Sequence, residues 1–170
     1  MSLPKKLKNF ILFNDGNAYL GEVPEVTLPK LMVKMEDYRA GGMPGSVKID
    51  QGLEALTLEW KASGMLADAI RQFGNARIDG VALRLTQALQ ADDSEAVTPA
   101  EIVMRGRHSE IDFGNAKAGE MTELKMKTEL TYYKLSMDGI ALVEIDMVNM
   151  VYIVGGIDRL ADTRTALGIL

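Results

Sequence analysis

The sequence predicts a mostly antiparallel β domain, a sandwich or barrel with one helix packed against it. Three observations carry that expectation. From Thr122 to Val154 polar and apolar residues alternate on both sides of Asp138-Gly139. Shorter runs with the same period recur at residues 53–61, 81–85 and 101–112. Helical spacing is substantial only from Met65 to Phe73. Successive side chains on a strand point to opposite faces, so a period of two buries one face and wets the other.

Residues 7–13 and 18–23 flank Asn14-Asp15-Gly16-Asn17, a turn signal, so the chain opens with a hairpin. Residues 25–36 read as a strand with Leu31, Val33 and Met35 on one face. Pro29 has no N–H to give a ladder and marks an edge or a break there. Residues 38–52, with glycines at 41, 42, 45 and 52, read as an irregular arm. Residues 53–61 return as a strand, with Leu56, Leu58 and Trp60 inward and Thr57, Glu59 and Lys61 outward. Met65, Leu66, Ala69, Ile70 and Phe73 then mark an amphipathic helix of about three turns, stopped by Gly74-Asn75.

Val81, Leu83 and Leu85 begin another strand, residues 90–99 form a polar loop, and residues 101–112 a further strand. Gly114 to Gly119 is a glycine-bracketed turn into the long hairpin. There Leu124, Met126, Thr128, Leu130 and Tyr132 share one parity, and Ala141, Val143, Ile145 and Met147 share one after the turn. Asp-Gly supplies the positive φ that a two-residue hairpin turn needs. Parity slips near Tyr132-Tyr133 and again near Met147-Val148, which predicts bulges or bends. A short helix near 158–167 closes the chain, with Asp158 or Gly156 as its cap and Gly168 as its stop.

A length of 170 residues predicts one domain, 1–170, with a sizeable core. The 47% hydrophobic and 25% charged residues are ordinary soluble globular proportions. A formal net charge of −5 lacks the basic footprint of a nucleic-acid-binding domain. There is no cysteine, hence no disulfide, thiolate nucleophile or thiolate metal ligand. Lys5, Lys6 and Lys8 precede an apolar run, Phe10 to Phe13, that is too short for an export signal or a membrane segment.

Residues with chemical potential do not converge. The single histidine, His108, precedes Ser109, and neighbours on a strand point apart, so it reads as a surface or interface histidine. Asp92, Asp93 and Glu95 lack the alternating ligands and central glycine of a calcium loop. Gly114 to Gly119 lacks phosphate-loop spacing. No catalytic, cofactor-binding or metal-binding residue is expected. The eleven methionines read mostly as core filling, with Met43 an exception. The arm 38–52 stands out, because fifteen residues without regular structure are uncommon in a compact domain. It carries Tyr38, Met43, Val47 and Ile49, apolar groups that a solvated loop does not need.

Three segments carry a resemblance: VTLPKLMVKMEDYRAGGMPGS (26–46), VMRGRHSEIDFGNAKAGE (103–120), and MDGIALVEIDMVNM followed by GGIDRL (137–160). In order and over nearly the whole chain, the sequence resembles the major tail tube proteins of contractile-tailed phages and related phage-tail-like bacteriocin particles. The resemblance implies a β-sandwich or barrel-like core with a flanking helix. It implies hexameric rings of the chain itself, stacked into a hollow tube inside a contractile sheath. Tape measure, baseplate and terminator proteins are the further partners, and DNA passes through without specific binding. The implied location is the virion tail, assembled in the host bacterial cytoplasm.

The resemblance also implies that part of each sheet joins its neighbours to line the lumen, and that the arm reaches an adjacent ring. Tyr38, Arg39, Gly41, Gly42, Met43, Gly45, Val47 and Ile49 are the arm candidates. Glu110, Asp112, Glu123 and Glu129 are the candidate lumen residues, with Lys125 and Lys127 among them. Rival readings are the tube of a secretion system or a genome-free particle, a small β-barrel enzyme, and a monomeric ligand-binding barrel.

Overall fold

The structure is a computed structural model that describes residues 1–169. Strands β1 (Lys6–Asn14) and β2 (Asn17–Ala18) open the chain, followed by β3 (Glu25–Thr27), β4 (Val33–Tyr38), β5 (Val47–Leu53) and β6 (Leu56–Ser63). Helix α1 (Ala67–Arg71) runs into a 3-10 turn, Gln72–Gly74. The remaining elements are β7 (Val81–Gln90), β8 (Val97–Asp112), β9 (Glu123–Met137), β10 (Ile140–Asp146), β11 (Val151–Val154), β12 (Ile157–Asp158) and helix α2 (Ala161–Ala166).

One sheet runs β12-β11-β10-β9-β8-β7-β1-β2, with β6 added to β9 and β3 to β6. Strand β9 explains the branching. Along one edge it pairs with β6 from Glu123 to Leu130 and with β10 from Tyr132 to Met137. Along the other it pairs with β8. Thr131, where the partner changes, is skipped in the register between Arg105↔Tyr132 and Gly106↔Leu130. A one-residue bulge bends a strand and inverts its parity. Leu124, Met126, Thr128 and Leu130 point inward before it, and Tyr133 after it.

The bend divides the sheet into a near half, β3-β6-β9-β8, and a far half built on β10, β9, β8, β7 and β1. Both feed one core: Leu56, Leu58, Trp60 and Met126 from the near half, and Leu12, Leu85, Ile102, Met104 and Ile145 from the far half. Close approach at the bend depends on Gly106. A Cβ there would stand 2.0 Å from the Glu129 carbonyl oxygen.

The Asp138-Gly139 hairpin forms as expected, with φ of 55° and 78° and Met137 paired to Ile140. The parity slip near Tyr132 is the Thr131 bulge. The slip near Met147 is not a bulge: β10 ends at Asp146, and a turn with Met150 at φ 53° leads into β11. The expected strand 25–36 breaks between β3 and β4, where Pro29 lies. The polar loop shrinks to 91–96 because β7 and β8 extend into it. Helix α1 is shorter than its apolar spacing predicts. Ala69 is buried, but Met65 and Phe73 stay exposed.

A buried polar chain ties this short helical segment to the sheet. Asn14 Nδ2 donates to the Tyr19 hydroxyl at 2.9 Å and to Gln72 Oε1 at 2.7 Å. Gln72 Nε2 returns a bond to Asn14 Oδ1 at 2.9 Å. The Gln72 oxygen also lies 3.3 Å from His108 Nε2, and Thr128 Oγ1 lies 2.8 Å from Nδ1. An amide oxygen only accepts, so Nε2 carries the imidazole proton and Nδ1 accepts from the Thr128 hydroxyl. His108 is therefore a core residue, 4% exposed, and not the surface or interface histidine expected. The β8 pleat turns it inward, beside Trp60. Burial pushes its pKa down to about 4.

Three outcomes are expected. Gly106→Ala should cost about 1–3 kcal/mol in urea denaturation, because the clash is with backbone. Glu95→Ala, in the exposed 91–96 loop, should change stability by less than about 0.5 kcal/mol. For His108, the unfolded chain takes up a proton near pH 6.5 that the folded chain refuses until about pH 4. The stability due to its neutrality is thus complete above pH 6.5 and falls as pH drops towards 4, by about 3 kcal/mol. Asp92, held at about 2 by hydrogen bonds from Lys6 and Lys8, acts only below its ordinary 3.8. Thermal melts of His108→Gln between pH 4 and 6.5 should therefore be flatter than those of the wild type, and parallel curves would assign the dependence elsewhere.

Candidate assembly surfaces

The polar residues singled out for chemistry are separately engaged. Ser109 Oγ points away from His108 and donates to Lys127 O at 3.4 Å and to Glu129 Oε1 at 3.3 Å. Asp92 accepts from Lys6 and Lys8, at 2.5 and 2.8 Å, fastening β1 to the 91–96 loop. In the β8–β9 loop, Asp112 Oδ1 accepts from Gly114 N at 2.8 Å, and Lys117 pairs with Glu120. Among the described residues no cluster of His, Asp and Glu is placed to hold a metal ion, and no helix is long and apolar enough to cross a membrane.

The arm has more structure than its glycines suggest. Strands β4 and β5 form a separate two-stranded ribbon, with Tyr38 opposite Val47, Asp37 opposite Lys48 and Glu36 opposite Ile49. Residues opposite each other on an antiparallel pair share a face. Tyr38, Val47 and Ile49 therefore share one side of the ribbon with Glu36, and Lys48 and Asp37 are ion-paired at 3.0 Å on the other. Every residue from Lys34 to Tyr38 and from Val47 to Gly52 is exposed. At the tip, Gly42 takes φ 84° and Met43 folds back, its N–H donating to Ala40 O and its sulfur accepting from Ala40 N. Arg39, Gly41 and Gly45 flank that turn and are exposed.

Glu110, Asp112, Glu123 and Glu129 come together on the outer face of the near half. A second bulge, at Ser109, makes this possible. His108 points inward, and without the extra residue Glu110 would follow it. Across β8 and β9, Arg107 faces Glu129, Glu110 faces Lys127 and Asp112 faces Lys125. Across β9 and β6, Thr57 faces Glu129, Glu59 faces Lys127 and Lys61 faces Lys125. Lys61 Nζ lies 3.3 Å from Glu123 and 3.4 Å from Glu25, and these carboxylates raise its pKa, chiefly through the Glu123 hydrogen bond. Glu25, Glu59 and Lys61 join this face although the sequence does not single them out. The outward parity of Glu59 and Lys61 is readable there, but the pairing of β6 with β9 is not.

The near half has open edges. Strand β7 reaches only to Gly106, so no strand lies beside Arg107 to Asp112 of β8. At the opposite side β3 covers only Glu59 to Lys61 of β6. A cleft of about 690 Å3 separates the ribbon root from the C-terminal hairpin, lined by Val33, Leu53, Met147, Met150 and Tyr152 among others. Of the eleven methionines, only Met104 and Met126 are fully buried, whereas Met32, Met35, Met65, Met121 and Met147 are exposed. The core-filling expectation is corrected accordingly: these methionines sit on ribbon, turns and loops that have no interior.

The model of the family described as phage tail tube protein FII matches residues 4–168. The tail tube protein of Escherichia phage P2 is 43% identical over 172 residues, covering 99% of this chain and 100% of that protein. A chain from the cryo-EM structure of the PVC sheath–tube complex, an extracellular contractile injection system in its extended state, aligns with a TM-score of 0.58 at 10% identity. It covers 78% of this chain and 91% of its own. A chain from the baseplate of the anti-feeding prophage aligns with a TM-score of 0.57 at 12% identity, over 82% and 99% of the two chains. These two likenesses are of fold. The family match over almost the full length, with the P2 relative, places this chain in the phage tail tube protein FII family, as a structural tail component and not an enzyme.

Proposed function

We propose that the chain forms hexameric rings that stack into the inner tube of a contractile tail, a conduit for DNA or a protein effector. The observation that carries the stacking is the exposed β4–β5 ribbon, whose apolar stripe covers nothing on its own chain. Such a stripe is stabilised by burial, at roughly 1.5–3 kcal/mol for each large apolar side chain. A second copy is the occupant that makes the contact repeat, and a repeated head-to-tail contact generates a filament.

Strand directions support ring closure. In the near half β8, β9, β6 and β3 alternate in direction. The open edge of one copy's β8 therefore meets a neighbour's β3 antiparallel, and the alternation continues around the ring. Closure removes edges that would otherwise template uncontrolled pairing. The near-half outer face then lines the lumen. The sheath–tube and baseplate origins of the structural neighbours support a sheath around the tube and a baseplate at its end. In this reading tape measure and terminator proteins set the length, and assembly takes place in the host cytoplasm.

Ile49→Asp tests the stacking contact. Ile49 is already 40% exposed, so the folded subunit should lose less than about 0.5 kcal/mol. Bringing an unpaired carboxylate into the contact carries a desolvation cost and should abolish tube growth. Circular dichroism and negative-stain microscopy are read together: wild-type circular dichroism with single rings or free subunits is expected, and normal tubes would remove the ribbon from the assembly contact.

A further inference from the structure

We infer that the β4–β5 ribbon of one copy docks, in the next ring, on an apolar patch at the end of the near half carrying Leu20, Met65, Phe113 and Met121. The inference rests on the stacking reading above and names the surface that receives the ribbon. A ribbon paired with a second ribbon makes a self-complementary contact, which closes after two rings and ends growth. A repeating stack needs a receiving surface that differs from the ribbon and is displaced from it along the stack.

Topology supplies such a surface. The ribbon is rooted at one end of β6: Leu53 closes β5, Leu56 opens β6, and Glu54 N donates to Met32 O at 2.8 Å. At the other end of β6, Ser63 N donates to Glu22 O at 2.8 Å and Gly64 N to Thr122 O at 2.9 Å. These two bonds gather the segments that carry Leu20, Met65 and Met121. Phe113 joins them, because β8 leaves the sheet just past its Asp112↔Lys125 pair. There a Cβ on Gly114 would stand 3.0 Å from the Glu123 carbonyl oxygen. Strand β6 has eight residues, so its two ends are about 23 Å apart.

All four patch residues are exposed, Met121 by 82%. Apolar residues scattered singly need no explanation, but four gathered at one end form a surface that burial stabilises. Charge agrees with the match. Arg39 is the only charged residue of the ribbon tip, residues 39–46, and Glu22 follows Leu20 and Gly21 at the patch. Both are exposed, and neither is ion-paired among the described residues. The cleft beside the ribbon root is also apolar, but it lies at the ribbon's own end and does not meet the requirement of displacement.

The chain has no cysteine, so introduced thiols report the contact without background. Full-length Val47→Cys/Met121→Cys, treated with a short bis-maleimide, should give a ladder of covalent multimers on denaturing gels, one chain longer for each stacked ring. Either substitution alone should stop at dimers, and Val47→Cys/Glu95→Cys should give no ladder. In microscopy, Met121→Asp should form rings that do not stack. Its rings keep the ribbon and those of Ile49→Asp keep the patch, so mixing the two should produce two-ring stacks and nothing longer. Wild-type tubes without a ladder from Val47→Cys/Met121→Cys would overturn the patch and leave stacking intact, as would normal tubes from Met121→Asp. Absence of both wild-type tubes and the ladder would overturn the stacking reading and the patch together.

Discussion

The pairing of β8 with β9 is the interaction on which the other elements depend. Each strand is long enough to serve both halves of the sheet: near Leu130 β9 exchanges β6 for β10, and beyond Gly106 β8 is left without β7. The missing side chain at Gly106 lets the backbones approach, and Thr131 is released from the register to make the bend. Without the bend, the inward faces of β6 and β7 would not share a core. With it, a single ladder supplies a packed interior on one side and two separate outer faces on the other.

Two one-residue insertions therefore decide the chemistry of the surface. The bulge at Thr131 keeps Tyr133 in the core after a run of even-numbered inward residues, and the bulge at Ser109 turns Glu110 outward after His108. Both act through strand parity, which reverses wherever one residue is skipped. The charged face and the buried imidazole are consequently products of the same local feature. His108 stays neutral beside Trp60 because it is buried, and the bulge that follows it keeps Glu110 on the opposite side of the sheet.

Much of the fold was legible because period-two patterning is strong in this chain. The Asp138-Gly139 hairpin, the inward Leu56-Leu58-Trp60 set and the break at Pro29 all follow from local rules that tertiary packing did not override. Partnership between distant strands was not legible. Nothing near Glu59 indicates that it will face Lys127, since that proximity depends on a pairing between strands far apart in sequence. The ribbon was hidden for a different reason. Its glycines and exposed polar residues resemble a loop, while the stripe of Tyr38, Val47 and Ile49 becomes visible only when the register aligns the two strands. The methionines mislead in the opposite direction, because apolar parity points to an interior that some of these strands and turns do not have.

The shared strand also constrains the order in which the polypeptide matures during synthesis. Strand β6 is made early, yet its ladder partner, Glu123 to Leu130, leaves the ribosome after more than half the chain has been translated. Strands β1 and β7 likewise wait for β8 before their inner faces are fully covered. Non-local pairings of this kind close slowly and leave apolar surface open in the meantime. A nascent chain thus carries its projecting ribbon before the near half exists. On the ring contact proposed above, a chain that stops before β9 lacks the near half which that contact needs.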